Sequence, residues 1–199
     1  MPRCKAGGCA NDPDDGEGWD GYCGSCADQM EDGMGYTHYW TQPRDLTPEE
    51  MGDIGASVRK IIATATDGRK VLDGYRGTPG VPLQIAGGDG EGPPQITKEV
   101  ISINGKGPDL DHEAFYLPAK RELPYDGADP SRLGWAFCKT ARKPYDIVVT
   151  ACLTYLAAAY DFEVGSDGDV DDWDDGVKLA EEALGREFAN PMITEALVA

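Results

Sequence analysis

The 199-residue sequence predicts an α+β fold, a small antiparallel sheet packed with about three helices, carrying a cysteine-rich segment at its N-terminus. Three observations predict it. Apolar residues recur at helical spacing over 48–65 and 171–188, and 144–160 is apolar on nearly all sides. Residues 96–103 and 113–118 alternate as strands do. Four of the six cysteines fall within the first 26 residues. The length suits one substantial domain, 36–199, with a small appendage over 1–35.

The appendage carries the clearest chemistry. Cys4, Cys9, Cys23 and Cys26 follow the spacing C-x4-C-x13-C-x2-C. Two pairs of thiolates suit a closed, tetrahedral, structural Zn²⁺ site. The intervening CANDPDDGEGWDGYC has almost no apolar content, so hydrophobic burial cannot hold it; metal binding supplies the missing free energy. Disulfides are the alternative use of these cysteines. The N-terminus MPRCKAGGCA has no apolar leader region, which predicts a cytoplasmic setting where thiols stay reduced and favour metal. Tyr36, His38, Tyr39 and Trp40 come next, and are expected to pack the appendage against the main body.

The first helix starts at a capping box: Thr47 is the N-cap, Pro48 the first helical residue and Glu50 the third. Leu46 and Met51 form a hydrophobic staple across it. Met51, Ile54, Val58, Ile61, Ile62 and Ala65 make the buried stripe, and Gly52 and Gly55 either weaken the helix or admit a close neighbour. Residues 68–95 are Gly/Pro-rich and read as a long loop, with 81–86 a short strand. Residues 96–103 and 113–118 form a hairpin across NGKGPDLD, and 133–139 supplies a third strand or a buried segment. Pro144 opens a central core helix to 160, in which Ala157, Ala158 and Ala159 permit close packing. A short edge strand over 162–164 and an acidic turn over 166–172 lead to the last helix, whose stripe is Trp173, Val177, Ala180, Leu184 and Phe188.

The net charge is −18, and it is polarised. Residues 1–43 carry eight acidic and two basic side chains, 161–199 carry twelve and two, and the middle is nearly balanced. Such a field repels nucleic acid and attracts a partner with a basic surface, or serves solubility alone. No apolar run is long enough to span a membrane. Asp167, Asp169 and Asp171 occupy calcium-loop positions, but Asp172 replaces the required glycine and Lys178 the closing glutamate, so helix capping explains them better. The basic cluster Lys139, Arg142, Lys143 is expected to pair with the acidic tail of the same chain rather than with phosphate. Cys138 and Cys152 read as small core hydrophobes. The weak catalytic candidates are Asp109, Asp111, His112 and Glu113. On a strand, two of their carboxylates share a face and could hold Mg²⁺.

FCKTARKPYD (137–146), SDGDVDDW (166–173) and NGKG…DHEAFYL (104–117) resemble small uncharacterised proteins of actinobacteria and their bacteriophages, over about 96–188. The GYCGSC stretch resembles a zinc knuckle. The resemblance implies a phage or phage-derived origin and no particular activity. The sequence therefore predicts a non-catalytic intracellular interaction or accessory protein stabilised by zinc. A DNA mimic that inhibits a nucleic-acid-binding protein and a metal-dependent nuclease or other hydrolase are the alternatives.

Overall fold

A computed structural model describes residues 36–67, 83–107 and 110–193. The four N-terminal cysteines and Asp109 lie outside the described residues. The chain divides into two units, Met1–Tyr36 and Thr37–Ala199. The described elements all belong to the second. In chain order they are β1 (Thr37–Thr41), α1 (Pro48–Thr66), β2 (Ile85–Ala86), β3 (Gln95–Ile96), β4 (Val100–Gly105), β5 (Phe115–Pro118), a 3-10 turn (Pro130–Arg132), β6 (Trp135–Lys139), α2 (Asp146–Tyr160), β7 (Glu163–Ser166) and α3 (Val170–Leu184).

The described strands form two antiparallel sheets. In the first, β1 lies between β6 and β7. His38 stands opposite Cys138 on one side and Ser166 on the other. In the second, β4 pairs with β2, β3 and β5. The predicted hairpin is β4–β5, with Val100 opposite Pro118 and Ile103 opposite Phe115. Trp40 of the first sheet meets Phe115 of the second, their ring centroids 5.1 Å apart, so both sheets close on one core.

Of the aromatic cluster, His38, Tyr39 and Trp40 belong to β1, the central strand of a sheet; the expected packing against the appendage lies outside the described residues. Trp40 and His38 face the core while Tyr39 faces outward, the period-two alternation of a strand buried on one face. Within 133–139, Trp135–Lys139 is a strand, β6, but it pairs with β1 and not with the hairpin. The described part of 68–95 holds β2, inside the strand expected over 81–86, and the first residue of β3; the strand expected over 96–103 is split, with Ile96 in β3 and β4 starting only at Val100.

Helix α1 begins as its sequence dictates. The Thr47 side chain accepts from the Glu50 N–H (3.2 Å), and the Glu50 carboxylate accepts from the Thr47 N–H (2.8 Å). Leu46 and Met51 are both buried. Of the two helical glycines only Gly55 admits a neighbour. A methyl group there would come within 2.9 Å of the Ile96 side chain, whereas nothing lies within 4 Å at Gly52. Helix α2 is sealed from Val148 to Leu156, as an all-apolar helix must be. It starts two residues beyond Pro144. Contrary to expectation, Ala158 and Ala159 are exposed and take no part in close packing.

Close packing falls instead on Gly176 of α3. A Cβ there would sit 2.1 Å from Thr150 Oγ1 and 2.7 Å from Thr150 Cβ, so the missing side chain sets the α2–α3 approach. Helix α3 starts at a capping box of Asp169 and Asp172. It stops at Leu184 rather than 188, because Gly185 turns left-handed at φ 68° and its N–H caps the Glu181 carbonyl. Phe188 lies beyond the helix yet still packs on the core.

Candidate binding cleft

The two sheets touch at one rung and part from it. The Glu113 N–H donates to the Lys139 carbonyl (3.2 Å), and the Lys139 N–H donates to Glu113 Oε2 (2.8 Å). The Cys138 thiol donates to the Glu113 carbonyl (3.3 Å). Beyond this junction a cleft of about 280 Å³ opens between β5 and β6. Its floor includes Trp40 and Gln42. Its walls are Tyr116 and Pro118 on one side and Trp135, Ala136 and Phe137 on the other, with Leu123 and Pro124 closing one end. Glu113 and Glu122 bring carboxylates to its lining.

The walls are apolar and open to solvent. Tyr116 is 44 % exposed, Phe137 41 % and Leu123 38 %. Trp135 stacks on Tyr39 (centroids 6.0 Å, planes 25° apart) and tilts against Phe137 (5.5 Å), so the outer face of the first sheet carries a row of three rings. The Arg132 guanidinium sits 4.8 Å from the Trp135 ring centre, a cation–π contact. The Tyr116 hydroxyl titrates above its usual range because it is partly buried and because Glu122 lies near.

Strand β6 presents unpaired backbone to this cleft. The Gln42 N–H donates to the Gly134 carbonyl (2.9 Å), which fixes the β1–β6 ladder so that 136 and 138 bond toward β1, while the Gly134 N–H itself turns to the Glu122 carbonyl (3.0 Å) at the end of the cleft. The N–H and C=O of Trp135, Phe137 and Lys139 then point away from β1. Lys139 bears this out, since Glu113 binds both of its groups from that side. The same logic applies to β5. The Ala119 N–H donates to the Glu99 carbonyl (2.8 Å), so 115 and 117 bond toward β4 and Tyr116 turns its backbone to the cleft.

The predicted site residues are placed differently. Asp111 lies against Gly90, where an added Cβ would come within 2.2 Å of its carboxylate. His112 Nδ1–H donates to the Lys139 carbonyl (2.7 Å), and its backbone N–H donates to the buried Asn104 side chain (3.2 Å). Glu113 is bound to β6. His112 and Glu113 thus hold the segment against the backbone of Lys139, with Asp111 apart from them beside Gly90. Among the described residues, no group of three or more His, Cys, Asp or Glu is placed to hold a metal ion. Asp167, Asp169 and Asp171 do not converge on a cation either: Asp167 accepts from the Thr37 N–H and the Tyr39 hydroxyl, and Asp169 caps α3.

The predicted internal pairing of the basic cluster is present. Arg142 binds Asp172 through both guanidinium nitrogens (2.6 and 3.2 Å). Ala141 and Arg142 both have positive φ (49° and 52°), and the Lys143 N–H closes the turn on the Thr140 carbonyl (3.0 Å). Two left-handed non-glycine residues in succession are strained, and here they aim Arg142 at the start of α3.

One polar constellation was not foreseen. His38 Nε2–H donates to Asp146 Oδ1 (2.7 Å), and the Thr140 hydroxyl donates to the same oxygen. With the proton on Nε2, His38 Nδ1 accepts from the Ser166 hydroxyl (3.0 Å), whose oxygen accepts from the Gly168 N–H (2.9 Å). The Trp173 ring meets the imidazole edge to face at 5.2 Å. The residue types are those of a hydrolytic triad, but His38 has no solvent exposure and the described cleft is not lined by any of these residues. The arrangement ties β1, β7 and the start of α2 together. The signal available in the sequence was a lone histidine in an alternating aromatic run, which places it on the buried face.

Comparison of the chain with family models, with curated proteins and with solved structures finds no match. No helix among the described residues is long and apolar enough to cross a membrane.

Proposed function

We propose that this protein is a non-catalytic interaction or accessory protein whose partner presents a basic surface. The observation that carries the reading is the cleft itself: half-exposed aromatic walls with carboxylates in the lining, in a chain of net charge −18. The acidic C-terminal fifth (161–199) supports it, with Asp161, Glu163, Asp171 and Asp175 exposed along β7 and α3. Within this reading the four N-terminal cysteines hold a structural Zn²⁺, the protein acts in the cytoplasm, and its origin is a phage genome or a phage-derived gene.

The test uses the full chain. A partner captured from host lysate is identified and its affinity measured by calorimetry at low and high salt. A basic partner bound more weakly at high salt is expected. Affinity independent of salt sinks the reading. Competition by duplex DNA for the partner's surface would favour the DNA-mimic form. The double reversal Asp171→Lys with Asp175→Lys is the suitable variant, because Asp172 holds Arg142 and Asp174 accepts from Asn190. Zinc is tested separately by metal analysis of protein purified without added metal. One equivalent per chain, lost in Cys23→Ser with Cys26→Ser, is expected, and its absence would refute the site.

A further inference from the structure

We infer that the cleft between β5 and β6 takes an extended, arginine-bearing peptide segment of the partner, which adds as a strand to the open edge of β6. This rests on the interaction reading above and names the chemistry of its contact.

Three features point to a strand rather than to a flat protein surface. First, an extended backbone needs donors and acceptors at alternate residues, and the ladder alternation turns those of Trp135 and Phe137 into the cleft. Second, Glu113 already does this at the next outward position. Its N–H binds the Lys139 carbonyl, and its carboxylate takes the Lys139 N–H. A peptide continuing from that junction along β6 meets Phe137 and then Trp135. Third, exposed edge strands are normally blunted by charge or proline. Here the outward β6 positions are a phenylalanine and a tryptophan, with Phe137 41 % exposed.

Two features point to arginine. Among the described residues, the carboxylates of Glu113 and Glu122 are the ionised side chains in the cleft lining, so a cation there is matched and an anion is repelled. The walls are ring faces, which attract a guanidinium. The molecule already makes such a contact, with Arg132 over Trp135. A planar guanidinium can stack on a ring while its edge donates to the Glu122 carboxylate; a flexible aliphatic side chain satisfies only one of these.

The experiment titrates the full chain with the capped peptide acetyl-Ser-Val-Arg-Val-Ser-amide, following intrinsic tryptophan fluorescence and heat. Three comparisons are made. The citrulline analogue keeps shape and removes charge. Two N-methylated analogues block the amides that face one side or the other of the strand. The variant Glu122→Gln removes a carboxylate that is exposed and outside the core. Binding of the arginine peptide is expected, weaker by about tenfold for citrulline and for Glu122→Gln. One N-methyl register should bind and the other should not. Equal affinity for arginine and citrulline overturns the charge assignment, and equal affinity for both N-methyl registers overturns strand addition. Lack of any peptide binding, in a chain that still binds its basic partner in a salt-dependent way, overturns the cleft while leaving the interaction reading intact. If the salt-dependent partner is also missing, both fall.

Discussion

His38 Nε2 lies 2.7 Å from Asp146 Oδ1, and the two side chains, 108 residues apart in sequence, are both shielded from solvent. Asp146 also accepts from Thr140, so one carboxylate oxygen gathers β1, the turn after β6 and the start of α2. Removing one partner of a buried charged or strongly polar pair strands the other. Asp146→Ala is expected to cost about 3–5 kcal/mol. Asp146→Asn should cost less, because its amide oxygen still accepts from Nε2–H. Urea unfolding of the three proteins measures it, and an alanine variant as stable as wild type would show that the pair holds nothing.

Two glycines should respond oppositely to the same substitution. Gly176→Ala gains helix propensity but drives a methyl into Thr150, whose hydroxyl is itself bonded to the Asp146 and Ile147 carbonyls. Overpacking should win, with a loss of about 1–3 kcal/mol. Gly52→Ala meets nothing within 4 Å and should stabilise by about 0.5–1 kcal/mol. Thermal or urea midpoints that move in the same direction for both would contradict this account of the α2–α3 contact.

Glu50 sits in a double role, capping α1 and gripping Arg44 through both oxygens (2.6 and 2.9 Å). The Arg44 guanidinium, with the Thr47 N–H second, lowers its carboxyl pKa to about 2 from an unperturbed 4.5. A depressed folded-state pKa means stability that is full above about pH 4.5 and fades as pH falls toward 2. The stability gap between wild type and Glu50→Gln should therefore shrink across that window. A gap constant from pH 6 to pH 2, read from urea midpoints, would count against it. Carboxyl NMR should also place Glu50 among the lowest-titrating glutamates.

Cys138 and Cys152 should be inert in the folded protein. Burial pushes the Cys152 thiol up to about 12, and burial with the nearby Asp146 and Glu113 charges raises Cys138 well above its usual value. The thiolate is the reactive form, and neither group forms it near neutral pH. Alkylation with iodoacetamide at pH 8, read by peptide mass spectrometry, should label both only after denaturation. Native labelling of either at the denatured rate would mean that the core around α2 opens readily.

The sequence alone determined what local chemistry decides. The Thr47–Glu50 capping box and the Leu46–Met51 staple start α1 because every group involved lies within a few residues. The α+β class, the β4–β5 hairpin and the sealed α2 follow from apolar periodicity, which reports the buried face of each element without reference to its neighbours. The Arg142–Asp172 pair was legible as a charge match between a basic cluster and an acidic end. Strand pairing was not. β1 joins β6 and β7 across about 100 residues or more, and no local signal records which edges meet. The cleft is of the same kind. Tyr116 and Phe137 look like ordinary strand residues in the sequence. They become exposed walls only because the two sheets join at Glu113 and Lys139 and separate beyond them. Asp111, His112 and Glu113 do not form a metal group for a matching reason: adjacency in sequence placed them together, while in the fold His112 and Glu113 are both taken up by the backbone of Lys139 and Asp111 lies instead beside Gly90.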